Sequence, residues 1–265
     1  MMAVKLIISD MDGTLIGRDE ILSDKAIDLV KRLNKKNILF TIATGRVECM
    51  ANHFVDKLEI QIPYIVCNGA TILSKKELYI RNQIPAKGLK DLLLKADQMG
   101  MSIIYTIEGK EYIFRTTPWI LGQRKSFDRY YDEHFFTKDE WENILIDKVT
   151  VMDDIRDGRI RVIEDLCKNL NGDYCFTRYT DKAIEIVEKN SNKASAMKYL
   201  SELLNIDVDE ILTIGDHQND VEMLTESGIG IAVANATKEA KAAADYVCEN
   251  NYIDGVIEAV SKYCF

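Results

Sequence analysis

Asp10-Met11-Asp12-Gly13-Thr14-Leu15 places two carboxylates two residues apart, directly after the apolar run Val4-Lys5-Leu6-Ile7-Ile8-Ser9. Carboxylates this close repel each other, so the pair is costly unless a cation neutralises it or one group takes up a proton. Gly13 permits the tight exit that leaves both side chains in a crevice. Gly215-Asp216-His217-Gln218-Asn219-Asp220 follows a second apolar run, Ile211-Leu212-Thr213-Ile214, and adds two more acids. Hard oxygen donors of this kind suit Mg²⁺, which keeps several waters and takes one or two carboxylates with a substrate phosphate. In Thr44-Gly45-Arg46 a hydroxyl, backbone N–H groups and a helix start form an anion site. Lys193 stands at another helix start, where its charge opposes the helix dipole unless an anion lies opposite. Taken singly, these segments also have plain readings as an acidic turn, a helix cap and a solvated lysine. Together, Asp10, Asp12, Thr44, Lys193, Asp216 and Asp220 supply a nucleophile, a metal cage and cationic phosphate holders, the inventory for phosphoryl transfer. His217 has no second His or Cys at ligand spacing, so no histidine-based metal site is expected.

Such a constellation needs a frame that gathers strand ends. The apolar runs 4–9, 38–44 and 64–68 alternate with helical patterns over 23–36 and 46–58. Strands of this kind, buried on both faces and separated by helices, predict a right-handed, doubly wound parallel sheet. From about Thr71 the texture changes to paired strands with helices between them, including a helix over 86–100, one near 124–133 and one over 155–170. After Asn192 the strand–helix alternation returns. The expected fold class is therefore α/β: a doubly wound, Rossmann-like core of residues 1–81 and 183–265, interrupted by an α+β unit over 82–182. An insertion of this kind is expected to act as a cap over the strand ends, where open α/β sheets bind ligands.

Composition excludes several classes. The 265 residues are 47% hydrophobic with only 3 Pro, which rules out disorder and linker-dominated architecture. A net charge of −9 disfavours nucleic-acid binding by counterion release. The insertion is near neutral, so most of the negative charge lies on the core. No stretch approaches the length needed to span a bilayer, and the apolar run near the start is too short for a signal-peptide core. Six cysteines without a CxxC pair read as core thiols in a reducing cytoplasm.

The four segments, in this order, resemble the haloacid dehalogenase superfamily and its Cof-type sugar-phosphatase-like branch. Asp10 to Leu15 reads as that family's DxDGTL, and Gly215 to Asp220 as its GDxxND. Cys67-Asn68-Gly69-Ala70 is similar to the NGA segment that leads into the family's large α/β cap. The tail from Asn235-Ala236 to Asp254-Gly255-Val256 matches too, so the resemblance spans essentially the whole chain. It departs at Ala232-Val233-Ala234-Asn235-Ala236, where AMGNA is usual, and at Asn190-Ser191-Asn192-Lys193 before the lysine.

The resemblance implies a Mg²⁺-dependent phosphatase of small phosphomonoesters. Asp10 would be the nucleophile that becomes an aspartyl-phosphate, and Asp12 the acid and base. Asp10, the Asp12 backbone carbonyl and Asp216 would hold the metal. Asp220 would join the metal site or orient Lys193. Thr44, Lys193 and Asn219 would hold the phosphoryl group, with Gly45 and Arg46 as further substrate contacts. Sugar phosphates, pyridoxal phosphate and flavin mononucleotide are the implied substrates, and a phosphosugar mutase with the same aspartyl-phosphate chemistry is the alternative. The partner is a small phosphorylated metabolite, with no nucleic acid and no membrane, for a cytoplasmic monomer. Arg115, Trp119, Arg124, Lys125, Arg129 and Tyr130 form a basic-aromatic stretch that reads first as a helix with a solvated charged face and a few core aromatics, and otherwise as a surface for an anionic or ring substrate.

Overall fold

A computed structural model of the chain describes residues 3–127, 131–155, 157–172, 174–179 and 181–265. The chain divides into two units, Met1–Ile80 with Asn192–Phe265, and Arg81–Ser191. Ahead of the insertion come β1 (Leu6–Ser9), α1 (Asp24–Lys35), β2 (Leu39–Ile42), α2 (Glu48–Lys57), β3 (Tyr64–Val66), β4 (Thr71–Leu73) and β5 (Leu78–Arg81). The inserted unit contributes β6 (Ile84–Pro85), α3 (Ala86–Gln98), β7 (Ser102–Ile107), β8 (Lys110–Ile113), α4 (Pro118–Phe127), β9 (Asp132–Glu133), α5 (Lys138–Asn143) and β10 (Leu145–Ile146). It continues with β11 (Lys148–Met152), α6 (Ile160–Lys168), β12 (Tyr174–Tyr179) and β13 (Ala183–Glu188). The first unit resumes with α7 (Lys193–Leu204), β14 (Ile211–Gly215), α8 (Val221–Glu226), β15 (Ile229–Ala232), α9 (Lys238–Ala243), β16 (Tyr246–Val247) and α10 (Tyr252–Cys264).

The first unit is built on a parallel sheet of order β16-β15-β14-β1-β2. β1 lies between β14 and β2, with Ser9 opposite Ile214 on one side and Ile42 on the other. The residues after these three positions therefore leave the sheet at the same edge. Leu6, Ile7, Ile8, Leu212 and Ile214 are fully buried, as strands covered on both faces require. Met197 and Leu200 of α7 pack with Leu6, Ile8 and Ile211. β3 meets the extension of β2 through one parallel bridge, Ala43 to Ile65, then pairs antiparallel with β4. It is thus not a full member of the parallel sheet. Cys67, Asn68 and Gly69 all take positive φ (51°, 56° and 100°) and reverse the chain there.

The inserted unit holds a six-stranded sheet, β12-β13-β11-β7-β8-β9, antiparallel except for the β8–β9 pair. Strand alternation sends Ile103, Tyr105, Val149, Val151, Ile184 and Ile186 into one core with Leu89, Leu92 and Leu93 of α3 and Ile160 and Ile163 of α6. Ile104 and Ile113 face the other way and pack with Ile120 and Tyr131. The second boundary falls at 191/192 rather than 182/183, because β13 is hydrogen-bonded between β11 and β12. The helix expected near 124–133 instead starts at Pro118, where proline suits the first helical position and the Thr117 hydroxyl accepts the Ile120 N–H. The helix expected from 155 starts at Ile160, beyond Gly158 with φ +86°. In the basic-aromatic stretch, Arg115 forms a two-bond ion pair with Asp97, while Arg129 and Tyr130 lie outside the described residues. Among the described residues no helix is long and apolar enough to cross a membrane.

Candidate active site

The parallel ladder brings the acids together. Beyond β1, the Asp10 N–H still donates to the Ile214 carbonyl at 2.8 Å, which carries Asp10 alongside the exit of β14. The following loop folds back at once: the Leu15 and Ile16 N–H groups both donate to the Met11 carbonyl at 2.9 Å. Gly13 has φ +95°, and a Cβ there would fall 2.3 Å from Asp216 Oδ2, so this close approach of two loops needs glycine. Thr14 Oγ1 donates to Asp216 Oδ1 at 2.9 Å and fixes that carboxylate. Gly215 lets its own loop fold back on itself, since a Cβ there would lie 2.5 Å from the Asp220 Cβ.

Lys193 opens α7 behind the capping residue Asn192, whose side chain accepts the Ser195 N–H at 2.7 Å. Its side chain is fully buried, with Nζ 2.5 Å from Asp10 Oδ1 and 2.6 Å from Asp220 Oδ1. Asp220 is fully buried as well, and its Oδ2 accepts the Asp216 and His217 N–H groups, both at 2.9 Å. Both Asp220 oxygens are thus already engaged. Asp10, Asp216 and Asp220 each offer an oxygen within 4.8 Å of the others. Three acids face one ammonium, with Asp10, Asp220 and Lys193 buried and Asp216 half-buried. Burial and the neighbouring acids Asp220 and Asp216 push the Asp10 carboxyl well up, against the pull of Lys193. Asp216 is raised by burial and by Asp220. Burial works against the charge on Lys193, but Asp10 and Asp220 outweigh it and hold the ammonium protonated. A hard divalent cation fits this donor set in both charge and ligand type.

Thr44 is buried, and its Oγ1 accepts the Arg46 N–H at 3.1 Å. Gly45 lies against Asn68, such that a Cβ would sit 3.0 Å from Asn68 Oδ1. Asn219 donates to that same oxygen at 2.9 Å. Asp12 is outside the acidic cluster. Its carboxylate takes two hydrogen bonds from Arg46, 2.8 Å from Nε and 2.6 Å from Nη2. Arg46, expected at the substrate, has these donors directed to Asp12 and Glu20 instead.

Two residues not assigned from the sequence tie these pieces together. Asn68 bridges Asn219 and the Thr44-Gly45 turn from a left-handed backbone position. Its neighbour Gly69 packs so tightly on Asn192 that a Cβ would lie 2.2 Å from that carbonyl oxygen. Asn235 donates to the Gly13 carbonyl at 2.7 Å and accepts the Tyr252 N–H at 3.0 Å, anchoring the Asp10–Leu15 loop to the start of α10. The sequence carries a signal for each: Asn68 in the Asn-Gly pair, Asn235 as the asparagine kept in a segment altered at Val233 and Ala234.

A family model for haloacid dehalogenase-like hydrolases matches residues 7–260. The chain belongs to that family. Within the haloacid dehalogenase-like hydrolases it is similar to the 5-amino-6-(5-phospho-D-ribitylamino)uracil phosphatase YcsE of Bacillus subtilis, 28% identical over 260 residues, covering 98% of this chain and 96% of that protein. It is also similar to the HMP-PP phosphatase of Klebsiella pneumoniae, 28% identical over 252 residues, covering 90% of this chain and 87% of that protein. The crystal structure of a haloacid dehalogenase-like hydrolase from Bacteroides thetaiotaomicron superposes with a TM-score of 0.84 at 24% identity, covering 98% and 99%. The α/β fold follows from the family match and from this superposition.

Proposed function

We propose that this hydrolase is a Mg²⁺-dependent phosphatase of small phosphomonoesters that works through an aspartyl-phosphate on Asp10. The chain is a phosphoric monoester hydrolase by family. The observation that carries the finer reading is the buried Asp10 carboxylate, 2.5 Å from the Lys193 ammonium and within 4.8 Å of Asp216 and Asp220, at the carboxyl end of β1.

In the first step an Asp10 carboxylate oxygen attacks phosphorus while the bond to the ester oxygen breaks, and Asp12 gives its proton to the departing alkoxide. In the second, water attacks phosphorus, Asp12 takes the water's proton, and the Asp10–phosphorus bond breaks to release inorganic phosphate. Splitting one displacement into two easier ones is the gain from a covalent route. Lys193 and Thr44 hold phosphoryl oxygens, and Asn219 adds a side-chain donor. Lys193 also keeps Asp10 oriented. Asp10, Asp216 and the Asp12 backbone carbonyl would hold Mg²⁺, which when bound neutralises the acids and the charge developing on the phosphoryl oxygens. Asp220, with both oxygens engaged, acts as the brace for Lys193 and for the Asp216 loop rather than as a direct ligand.

Substrate selection is assigned to the inserted unit, which carries none of the phosphoryl-transfer residues. The substrate is a small phosphorylated metabolite, and the protein acts as a cytoplasmic monomer without nucleic acid. The relatives bear phosphatase names, and nothing in the site favours the mutase. The test is phosphate release from p-nitrophenyl phosphate, phenyl phosphate and a panel of sugar phosphates, with Mg²⁺, with excess EDTA, and with Asp10→Asn. Release that requires metal and vanishes in the variant is expected. An Asp10→Asn protein, purified free of host phosphatase, that turns over like wild type would sink the mechanism.

A further inference from the structure

Arg46 occupies an arrangement that phosphate binding does not explain. Its Nε and Nη2 meet the two oxygens of Asp12 side by side, at 2.8 and 2.6 Å, the planar two-bond geometry in which arginine fixes a carboxylate. Nη2 is shared with Glu20 at 3.2 Å. The guanidinium carbon sits 4.9 Å from the centre of the Phe54 ring, so aromatic surface covers the cation. The backbone is fastened as well, because the Arg46 N–H donates to Thr44 Oγ1 and its carbonyl accepts the Cys67 N–H at 2.9 Å. The Arg46 side chain is 9% exposed, whereas that of Asp12 is 48% exposed. The cation is thus sunk beneath the carboxylate, and the carboxylate is presented outward. Glu20 takes φ +57°, a conformation a non-glycine residue holds only where its surroundings impose it.

We propose that Arg46 is a positioning residue for proton transfer by Asp12, held in place by Glu20 and Phe54, and not a contact for the substrate's phosphate. This rests on the phosphatase reading, in which Asp12 is the acid and base. Each Asp12 oxygen gives one lone pair to the arginine fork and keeps another for the travelling proton. That proton goes to the ester oxygen as its bond to phosphorus breaks, and is recovered from water in the second step. Without the fork the carboxylate can rotate away from the ester oxygen, and proton transfer depends steeply on such placement.

The test uses leaving-group dependence, which a merely structural role would not move. A nitrophenolate departs without a proton, whereas a sugar alkoxide needs one. Wild type, Arg46→Ala, Arg46→Lys, Glu20→Gln, Asp12→Ala and the Arg46→Ala/Asp12→Ala double variant are compared on p-nitrophenyl phosphate, phenyl phosphate and a sugar phosphate that the wild type hydrolyses. For Arg46→Ala, kcat/KM is expected to fall roughly ten- to a hundred-fold on the sugar phosphate and at most about threefold on p-nitrophenyl phosphate, with phenyl phosphate between. Arg46→Lys keeps the charge without the fork and follows the same trend, which guards against a folding defect in the alanine variant, and Glu20→Gln follows it more weakly. The double variant falls no further than Asp12→Ala, since both lose one function. Equal losses on all three substrates through KM alone would make Arg46 a phosphate holder and overturn the proposal, as would losses that multiply in the double variant. The phosphatase reading fails separately, on Asp12→Ala with unchanged leaving-group dependence or on Asp10→Asn with wild-type turnover, and the inference falls with it.

Discussion

Buried charge is handled differently in the two units. In the inserted unit, Lys148 is paired with Glu185 at 2.8 Å and Asp153 with Arg159 at 2.6 Å. Asp147 there accepts from Gln83 at 2.9 Å and from the Gly109 N–H at 2.8 Å. These charges are met by cations or amides, as structural groups are. In the parallel-sheet unit, one buried ammonium faces Asp10, Asp216 and Asp220, and the imbalance persists at a strand edge where sheet residues could instead have been apolar. Folding alone gains nothing from that surplus. An uncompensated buried cluster therefore marks chemistry, and a balanced pair marks architecture.

The contrast breaks most sharply at Asp10. Asp10→Asn is expected to cost at least about a thousand-fold in phosphate release, because the attacking oxygen is lost, while circular dichroism remains native. Lys193→Met comes next. It leaves Asp10 and Asp220 buried without their cation, which is expected to cost about 3–5 kcal/mol in urea unfolding and most of the turnover. The counterpart in the other unit behaves differently. Replacing both Lys148 and Glu185 by apolar residues of similar size is expected to change stability by about 1 kcal/mol or less, since a buried pair is replaceable as a pair. If the double apolar replacement Lys193→Met/Asp220→Leu restored turnover, the distinction drawn between the two regions would be lost.

Asp216 separates metal binding from catalysis. Wild-type melting temperature is expected to rise with Mg²⁺, by the equivalent of about 2.7 kcal/mol at a hundredfold excess over Kd, and EDTA should reverse it. Asp216→Asn should abolish that response while leaving the metal-free protein as stable as wild type or more so. The pH dependence has a definite sign. Burial, with Asp220 adding to it, raises the Asp216 carboxyl above its ordinary range, so the folded protein binds that proton more tightly than the unfolded chain. The resulting stability is complete below the ordinary carboxylate range and is lost as pH rises through the folded value. Urea unfolding of the EDTA-treated protein should show this loss, and Asp216→Asn should reduce it, leaving the part that the raised Asp10 carboxyl contributes.

Most of the candidate site's parts are legible in the sequence, and its linkages are not. Asp10, Asp12, Thr44, Lys193 and Asp216 announce themselves because acids, hydroxyls and cations at the ends of apolar runs are costly without a purpose. The parallel sheet is legible for the related reason that strands covered on both faces are apolar throughout. Arg46 reads as a substrate contact from its charge, but a sequence does not state which way its fork points, and in the structure Nε and Nη2 meet Asp12 and Glu20. Only the packing of α2 and of the loop carrying Glu20 decides that. Asn68 and Asn235 join segments more than a hundred residues apart in one case and reach over two hundred in the other, so no local pattern assigns their partners. The late start of α6 and the early start of α4 depend on Gly158 and the Thr117-Pro118 pair, short-range signals outweighed by apolar periodicity.

The smallest expected effect is also the cleanest comparison between the units, because it uses one substitution in two places. Gly13 and Gly158 both have positive φ, +95° and +86°, so alanine at either strains the backbone by about 1 kcal/mol. Around Gly158 there is open space, with nothing within 4 Å of the added Cβ. Gly158→Ala should therefore lower stability by about that strain and leave turnover alone. At Gly13 the same methyl meets Asp216 Oδ2 at 2.3 Å, and the loop it would push is tied to Asn235 and carries Asp10 and Asp12. Gly13→Ala should add to the strain a shift of Asp216, seen as a weakened Mg²⁺-dependent rise in melting temperature. Equal effects of the two alanines on both stability and the Mg²⁺ response would mean that the close approach of the Gly13 and Asp216 loops has no bearing on the metal. A loss of the Mg²⁺ response confined to Gly13→Ala would tie that approach directly to the acidic cluster.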